Sequence, residues 1–79
     1  MTEGFDAHTG PPGYVYARIA DHVAQQIAAG ELGKGARLPG EAALAEAYGV
    51  GLGTVRRALD VLRDRGLVVT LPAKGTYVL

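Results

Sequence analysis

The sequence predicts a mainly α-helical domain that closes with a small β-hairpin, and three observations support this fold class. Apolar residues recur at helical spacing in three successive segments between Tyr14 and Arg65. A glycine follows each segment, at the place where a helix commonly ends. From Leu67 onward, β-branched and apolar residues flank a Pro–Gly connection, which is typical of a hairpin. A chain of 79 residues has room for one such domain.

The first helix is predicted from Tyr14, where an apolar residue begins to occupy every fourth position. This stripe consists of Val15, Ile19, Val23 and Ile27, and Gly30 ends the helix. Residues 1–13 are rich in glycine and proline and offer little to bury. We therefore divide the chain into a flexible tail over 1–13 and a folded domain over 14–79.

Two further helices are predicted, a short one from Glu41 to Tyr48 and a longer one from Leu52 to Arg65. The buried stripe of the longer helix is expected to comprise Val55, Ala58, Leu59 and Leu62. Leu67–Leu71 and Thr76–Leu79 are the predicted strands, joined by a four-residue connection from Pro72 to Gly75. Arg37–Pro39 is predicted to be a short extended piece, because the proline biases Leu38 away from helix. The wing is expected to have two or three antiparallel strands.

Composition excludes several classes of function. The chain has no cysteine and no serine, so the usual thiol and hydroxymethyl nucleophiles are absent. Its two histidines, His8 and His22, have no second ligand at metal-binding spacing. No apolar run approaches the roughly 20 residues that span a bilayer, and the N-terminus has no signal-peptide pattern. We therefore expect a cytoplasmic protein that is not an enzyme, needs no cofactor or metal, and has no membrane partner.

Charge is distributed unevenly along a chain whose net charge is zero. Residues 51–79 hold five basic and two acidic residues, whereas residues 1–50 hold three basic and six acidic ones. The C-terminal part therefore carries about +3 and the rest about −3. A basic face on a neutral domain is compatible with nucleic-acid binding, with a weak electrostatic contribution to affinity.

The second and third predicted helices have the spacing of a helix-turn-helix. Ala45 lies four residues before Gly49, where a small side chain lets two helices cross closely. Gly49 can supply the positive φ that the turn requires. Val55 lies six residues after it and can anchor one helix on the other. The motif favours DNA binding, although some helix-turn-helix units only pack protein.

With the hairpin included, the chain resembles the GntR family of transcriptional regulators from Tyr14 to Leu79. The segments that carry the resemblance, in the family's order, are Ile27-Ala-Ala-Gly-Glu-Leu, Arg37-Leu-Pro-Gly-Glu, Leu44-Ala45, Thr54-Val-Arg-Arg-Ala-Leu, Arg65-Gly-Leu-Val and Lys74-Gly-Thr-Tyr-Val. The resemblance implies a winged helix-turn-helix whose third helix enters the major groove and whose wing reaches a minor groove or the backbone. The candidate DNA-binding residues are Arg37, Gly40, Gly51, Gly53, Thr54, Arg56, Arg57, Lys74, Gly75 and Thr76.

Arg56 and Arg57 lie toward the N-terminal end of the third helix, on or beside the face opposite its buried stripe. A helix that enters the groove N-terminus first would bring them to DNA, where arginine can read guanine or clamp a phosphate. The alternative is that both are solvated charges that pair with Asp60 three or four residues away.

The chain departs from the family pattern at the start of the third helix. Gly51-Leu52 replaces the usual Ser-Arg, and Gly40 replaces a serine after Leu-Pro. Because Leu52 lies about 60° from the centre of the buried stripe, we expect it to be partly buried; the alternative is contact with a thymine methyl group. Gly51 and Gly53 could let backbone N–H groups approach a phosphate.

We expect a sequence-specific regulator of transcription, a repressor that binds double-stranded DNA as a homodimer on a two-fold operator. Regulators of the family normally carry an effector-binding domain after the wing, and the chain stops at Leu79. We therefore expect no small-molecule effector site in it. The alternative is a protein–protein interaction module that keeps the winged fold and pairs with another regulator.

Overall fold

A computed structural model describes Phe5 and residues 14–79 of the chain. It contains three helices and two strands in the order α1 Val15–Ala28, α2 Glu41–Tyr48, α3 Leu52–Asp64, β1 Val68–Leu71 and β2 Gly75–Val78. The predicted fold class, three helices followed by an antiparallel wing, is confirmed. The predicted flexible tail lies outside the described residues except for Phe5.

The helices end at the predicted glycines. Gly30, Gly49 and Gly66 have φ values of 81°, 67° and 73°, a conformation that costs residues with a Cβ roughly 1 kcal/mol or more. At Gly66 this conformation lets the Leu67 N–H donate to the Leu62 carbonyl at 3.0 Å. The chain thereby turns directly from α3 into the wing. The third helix ends one residue earlier than predicted, at Asp64, and Arg65 is its C-cap.

The core lies where α1 and α2 pack on α3, with the wing closing one end. All four predicted residues of the α3 stripe are buried, and Leu62 has no exposed surface. Leu38, from the extended piece before α2, is also buried, although the helical pattern did not point to it. The buried apolar residues are Ile19, Ala20, Val23, Leu38, Leu44, Tyr48, Val55, Ala58, Leu59, Leu62, Val68 and Val78.

The connection of the hairpin is three residues long, not four as predicted. The antiparallel register pairs Val68 with Val78 and continues to Leu71 with Gly75, so Gly75 belongs to β2. The Lys74 N–H donates to the Leu71 carbonyl at 3.0 Å and closes a turn with Pro72 and Ala73 at its centre. Ala73 has a φ of 62°, which favours glycine or asparagine. This turn places Lys74 at the tip of the wing.

The extended piece before α2 pairs with the outer side of β2. The Leu38 N–H donates to the Thr76 carbonyl and the Val78 N–H to the Ala36 carbonyl, both at 2.8 Å. Arg37 and Tyr77 form the antiparallel bridge between these bonds. The wing therefore has two full strands and a short third pairing, within the predicted range. This pairing ties the entry of α2 to the wing.

Candidate nucleic-acid interface

The predicted DNA-facing surface of α3 is exposed. The helix begins at Leu52, directly after Gly51 in an extended conformation. Gly53, Arg56, Arg57 and Asp60 are all exposed, and Thr54 is half-buried. The helical pattern therefore identified the solvent side of α3, because the buried stripe fixes the rotation of the helix.

Arg56 pairs with α2 and not with Asp60. Its Nε lies 3.2 Å from Oε1 of Glu41, the first residue of α2, and its side chain remains 60% exposed. The alternative expectation of a pair with Asp60 is wrong for this arginine. An ion pair this exposed contributes about 0–1 kcal/mol, so little free energy opposes the exchange of Glu41 for a phosphate or a guanine.

The side chain of Arg57 contacts α1, the other helix that packs against α3. Its guanidinium carbon lies 4.0 Å from the ring centroid of Tyr16 in α1, within the range of a cation–π interaction. Asp60 pairs with Arg63, so the expected pair of Arg57 with Asp60 is not formed either. The two adjacent arginines therefore contact different helices, Arg56 contacting α2 and Arg57 contacting α1.

Asp60 is neutralised by Arg63, which also links α3 to the wing. Arg63 forms an ion pair with Asp60 and donates to the Thr70 hydroxyl at 2.7 Å. The Thr70 hydroxyl in turn lies 2.9 Å from that of Thr76 on β2. Arg56 and Arg63 are seven residues apart and share one flank of α3. The wing and the Arg56 flank therefore lie on the same side of the domain.

The predicted wing residues come together with Arg37. Lys74 is exposed, and its carbonyl accepts a bond of 3.2 Å from the Tyr77 hydroxyl. A Cβ built on Gly75 would lie 2.7 Å from Nε of Arg37, so the arginine side chain lies against the glycine. An open groove of about 340 Å³ runs between the hairpin, the entry of α2 and the middle of α3. Arg37, Arg63 and Lys74 contribute cationic groups to its lining.

Three of the predicted DNA-binding residues are glycines that the fold itself does not require. Gly40 and Gly51 are the N-caps of α2 and α3, and neither helix has a side-chain cap. A Cβ built on Gly40, Gly51 or Gly53 would meet nothing within 4 Å. Larger residues would fit at these positions in the unbound protein. The entries of both helices thus present bare backbone to solvent.

Leu52 is exposed, so the expectation of partial burial is wrong. Its exposed fraction is 43%. The physical reason is its position as the first residue of α3, because helical side chains lean toward the N-terminus of their helix. At this end the side chain is not among the apolar residues that pack against the core. Its angle on the helical wheel was a poor guide to burial for that reason.

A second cluster, on the side of α1 and α2, was not identified from the sequence. The ring of Phe5 packs edge-on against His22 and Tyr48, with centroids 5.4 and 4.9 Å away. His22 Nδ1 and the Tyr48 hydroxyl are hydrogen-bonded at 2.8 Å, and burial raises the pKa of Tyr48 to about 12.

Among the described residues, no group of three or more potential ligands is arranged to hold a metal ion. None of the helices in Phe5 and residues 14–79 is both long and apolar enough to cross a bilayer.

Comparison with known proteins identifies the same fold. The family model described as bacterial regulatory proteins, gntR family, matches residues 15–78. The mannosyl-D-glycerate transport/metabolism system repressor MngR of Escherichia coli is 44% identical over 64 residues, which cover 81% of this chain and 27% of the repressor. The regulator RmpR of Mycobacterium gastri is 48% identical over 62 residues, 76% of this chain and 23% of the regulator. The chain thus spans about a quarter of the length of these curated relatives.

Solved structures agree in the arrangement of helices and wing. The DNA-binding domain of AraR in complex with operator ORE1 superposes with a TM-score of 0.78 at 28% identity, covering 81% of this chain and 78% of that one. YtrA from Sulfolobus acidocaldarius, described as a GntR-family transcription factor, gives 0.80 at 36% identity, covering 92% and 74%.

Proposed function

Because the chain belongs to the gntR family of bacterial regulatory proteins, we propose that it binds a specific double-stranded DNA sequence and represses transcription there. The family consists of DNA-binding transcription regulators and not of enzymes. The observation that carries the proposal is the shared side of α3 and the wing. Arg56 is exposed on the flank of α3 from which Arg63 reaches the wing residue Thr70. One duplex can therefore meet both elements at once.

Each candidate residue has a role that its environment supports. Arg56 reads a base edge or clamps a phosphate in the major groove, with Thr54 and Arg57 beside it. Gly40, Gly51 and Gly53 let backbone N–H groups at the two helix entries approach phosphates closely. At the wing, Arg37 and Lys74 supply positive charge to the DNA backbone or the minor groove. Gly75 and Thr76, which have small side chains, let the start of β2 approach the DNA closely.

The relatives support the regulatory part of the proposal, and the expected gain in affinity is the reason for proposing a homodimer. MngR is a repressor, and the AraR domain was crystallised with operator DNA. A homodimer on a two-fold operator would add the contacts of two half-sites, which raises the affinity of a chain whose net charge is zero. Such a regulator acts in the cytoplasm, where the bacterial chromosome lies.

A second candidate is a protein–protein interaction module. The exposed Gly51-Leu52-Gly53 segment favours it, because an apolar side chain stands where the family pattern has an arginine. The two functions differ in their response to salt. Binding to DNA weakens steeply as salt is added, because phosphate contacts release counterions. An apolar protein contact is much less sensitive.

The test is a salt-titrated binding assay on duplexes selected from a random pool. We expect the affinity to fall linearly on a log–log plot and Arg56→Ala to weaken binding by about 1–3 kcal/mol. The matched control is Arg65→Ala, at the opposite end of α3, where Arg65 pairs with Asp21 at 2.9 Å. That variant is expected to bind like the unaltered chain. Affinity independent of salt, or equal losses in both variants, would contradict the proposal.

A further inference from the structure

Leu52 is a large apolar side chain exposed at the leading end of α3. It is 43% exposed although it begins the helix that carries the buried stripe of the core. Its neighbours on both sides, Gly51 and Gly53, have no side chains and open space around them. The leucine therefore projects alone from the segment 51–53. No side chain within that segment shields it from an approaching partner.

Leu52 belongs neither to the buried core nor to the partly buried apolar residues that pack against that core. The core beneath α3 is closed by Val55, Leu59 and Leu62, which are all buried. The 43% of Leu52 that remains exposed leaves apolar surface in contact with water in the unbound protein. Its presence is accounted for if an apolar partner covers it in the bound state.

The surroundings of Leu52 indicate what that partner is. Leu52 lies one helical turn before Arg56, on the flank of α3 that faces the wing side of the domain. The flank is therefore apolar at its leading end and cationic one turn later. Duplex DNA offers the matching pair, a phosphate or guanine edge beside an apolar group. In the major groove the apolar group on a base edge is the thymine 5-methyl.

We propose that Leu52 contacts the 5-methyl group of a thymine in the major groove and thereby selects a T·A pair at that position of the binding site. The inference rests on the proposed function, because it assumes that α3 enters the groove. It assigns to this chain a base preference that an arginine at position 52, with its affinity for guanine, would not give.

The experiment removes the methyl group from the DNA and the leucine from the protein. A duplex is selected from a random pool with the 79-residue chain, and each thymine is replaced in turn by deoxyuridine, which lacks only the methyl. At one thymine we expect about a four-fold loss of affinity, the value for one buried methyl-sized group. In the Leu52→Ala variant, deoxyuridine should no longer lower the affinity, and the melting temperature of the protein should stay unchanged. Leu71→Ala, which removes a leucine of almost equal exposure (42%) from the wing, should keep the full loss.

The Leu52→Arg variant provides a second measurement, which tests for a gain in affinity and a change in base preference and not for the loss of the thymine contact. It should bind random duplex more tightly and, on renewed selection, replace the preferred thymine with guanine. An equal effect of deoxyuridine in the unaltered chain and in Leu52→Ala would overturn the inference, as would a selected site in which no thymine is sensitive. Both results leave salt-dependent DNA binding intact. Failure to enrich any duplex, with binding insensitive to salt, would instead overturn the proposed function and the inference together.

Discussion

The guanidinium group of Arg37 lies against the backbone of Gly75, where a Cβ would come within 2.7 Å of the arginine Nε. Gly75 has a φ of 127°, which residues with a side chain rarely adopt. The arginine also belongs to the short pairing with Tyr77 on β2. The backbone bonds of its neighbours Ala36 and Leu38 tie the entry of α2 to the wing, and the Arg37 side chain covers the first residue of β2.

Replacing Gly75 by alanine is expected to destabilise the domain by about 1–3 kcal/mol, the cost of holding a non-glycine residue at such a φ. The displacement of Arg37 adds a second, steric part to the loss of stability, and only this part should disappear in an Arg37→Ala background. Urea unfolding of the four proteins measures both parts. Gly33→Ala is the control, because a Cβ there meets nothing, and it should change stability by less than about 0.5 kcal/mol. A Gly75→Ala domain as stable as the control would contradict the explanation.

Tyr48 is expected to make the fold sensitive to alkaline pH. Burial raises its pKa from 10.0 to about 12, so between these values the folded state holds a proton that the unfolded state has lost. Stability from this group is complete below pH 10 and falls as the pH rises toward 12, by at most about 1.4 kcal/mol per unit. Tyr48→Phe should remove this component of the slope. It should also cost about 0.5–1.5 kcal/mol near neutral pH, because the bond with His22 is lost. Parallel stability curves for the two proteins between pH 9 and 12 would show that Tyr48 does not titrate in this way.

Local rules were sufficient to predict the helices from the sequence. The stripe Val55, Ala58, Leu59 and Leu62 has helical spacing, and only one rotation of α3 buries all four residues. Gly49 and Gly66 marked the ends of helices because a positive φ there is cheap only for glycine. The prediction of the wing was less accurate. The residue at positive φ in the turn is Ala73 and not a glycine. The predicted connection ran on to Gly75, which belongs to β2, and was therefore one residue too long.

The candidate interface was predicted as a set of residues, but their contacts were not. Glu41, the partner of Arg56, lies 15 residues away in the chain, and Tyr16, the partner of Arg57, lies 41 residues away. Helical spacing carries no information about such pairs, since they depend on how α1 and α2 pack on α3. Phe5 was missed for a related reason, because a single aromatic residue among glycines and prolines forms no periodic pattern.

Lys74 at the tip of the wing is expected to contact a phosphate. Lys74→Ala should lower affinity evenly across DNA sequences and reduce the salt slope by about one unit. The control is Lys34→Ala. Lys34 adjoins Gly35, whose N–H bonds to the Val78 carbonyl at the opposite end of β2 from the tip. The control removes the same charge and should leave the slope unchanged. A loss confined to one sequence would instead show that the wing reads bases.

Glu41 is expected to restrain DNA binding through its pair with Arg56. Glu41→Gln keeps the size of the side chain and removes the negative charge that the arginine must leave to reach DNA, so affinity should rise about two- to five-fold, the equivalent of one exposed ion pair. The same change should lower stability by about 0.3–1 kcal/mol, because a carboxylate in the first turn of α2 favours the helix dipole. Glu46→Gln alters the net charge equally from elsewhere on α2 and serves as the control.

The double variant Glu41→Gln/Arg56→Ala separates this pair from a general effect of charge. If Glu41 acts through Arg56, most of the gain in affinity should vanish when the arginine is absent, and the coupling free energy follows from the four dissociation constants. An equal gain with and without Arg56 would mean that the carboxylate repels phosphates directly. Weaker binding by Glu41→Gln would contradict the prediction, because Glu41 would then hold Arg56 in the position from which it contacts DNA.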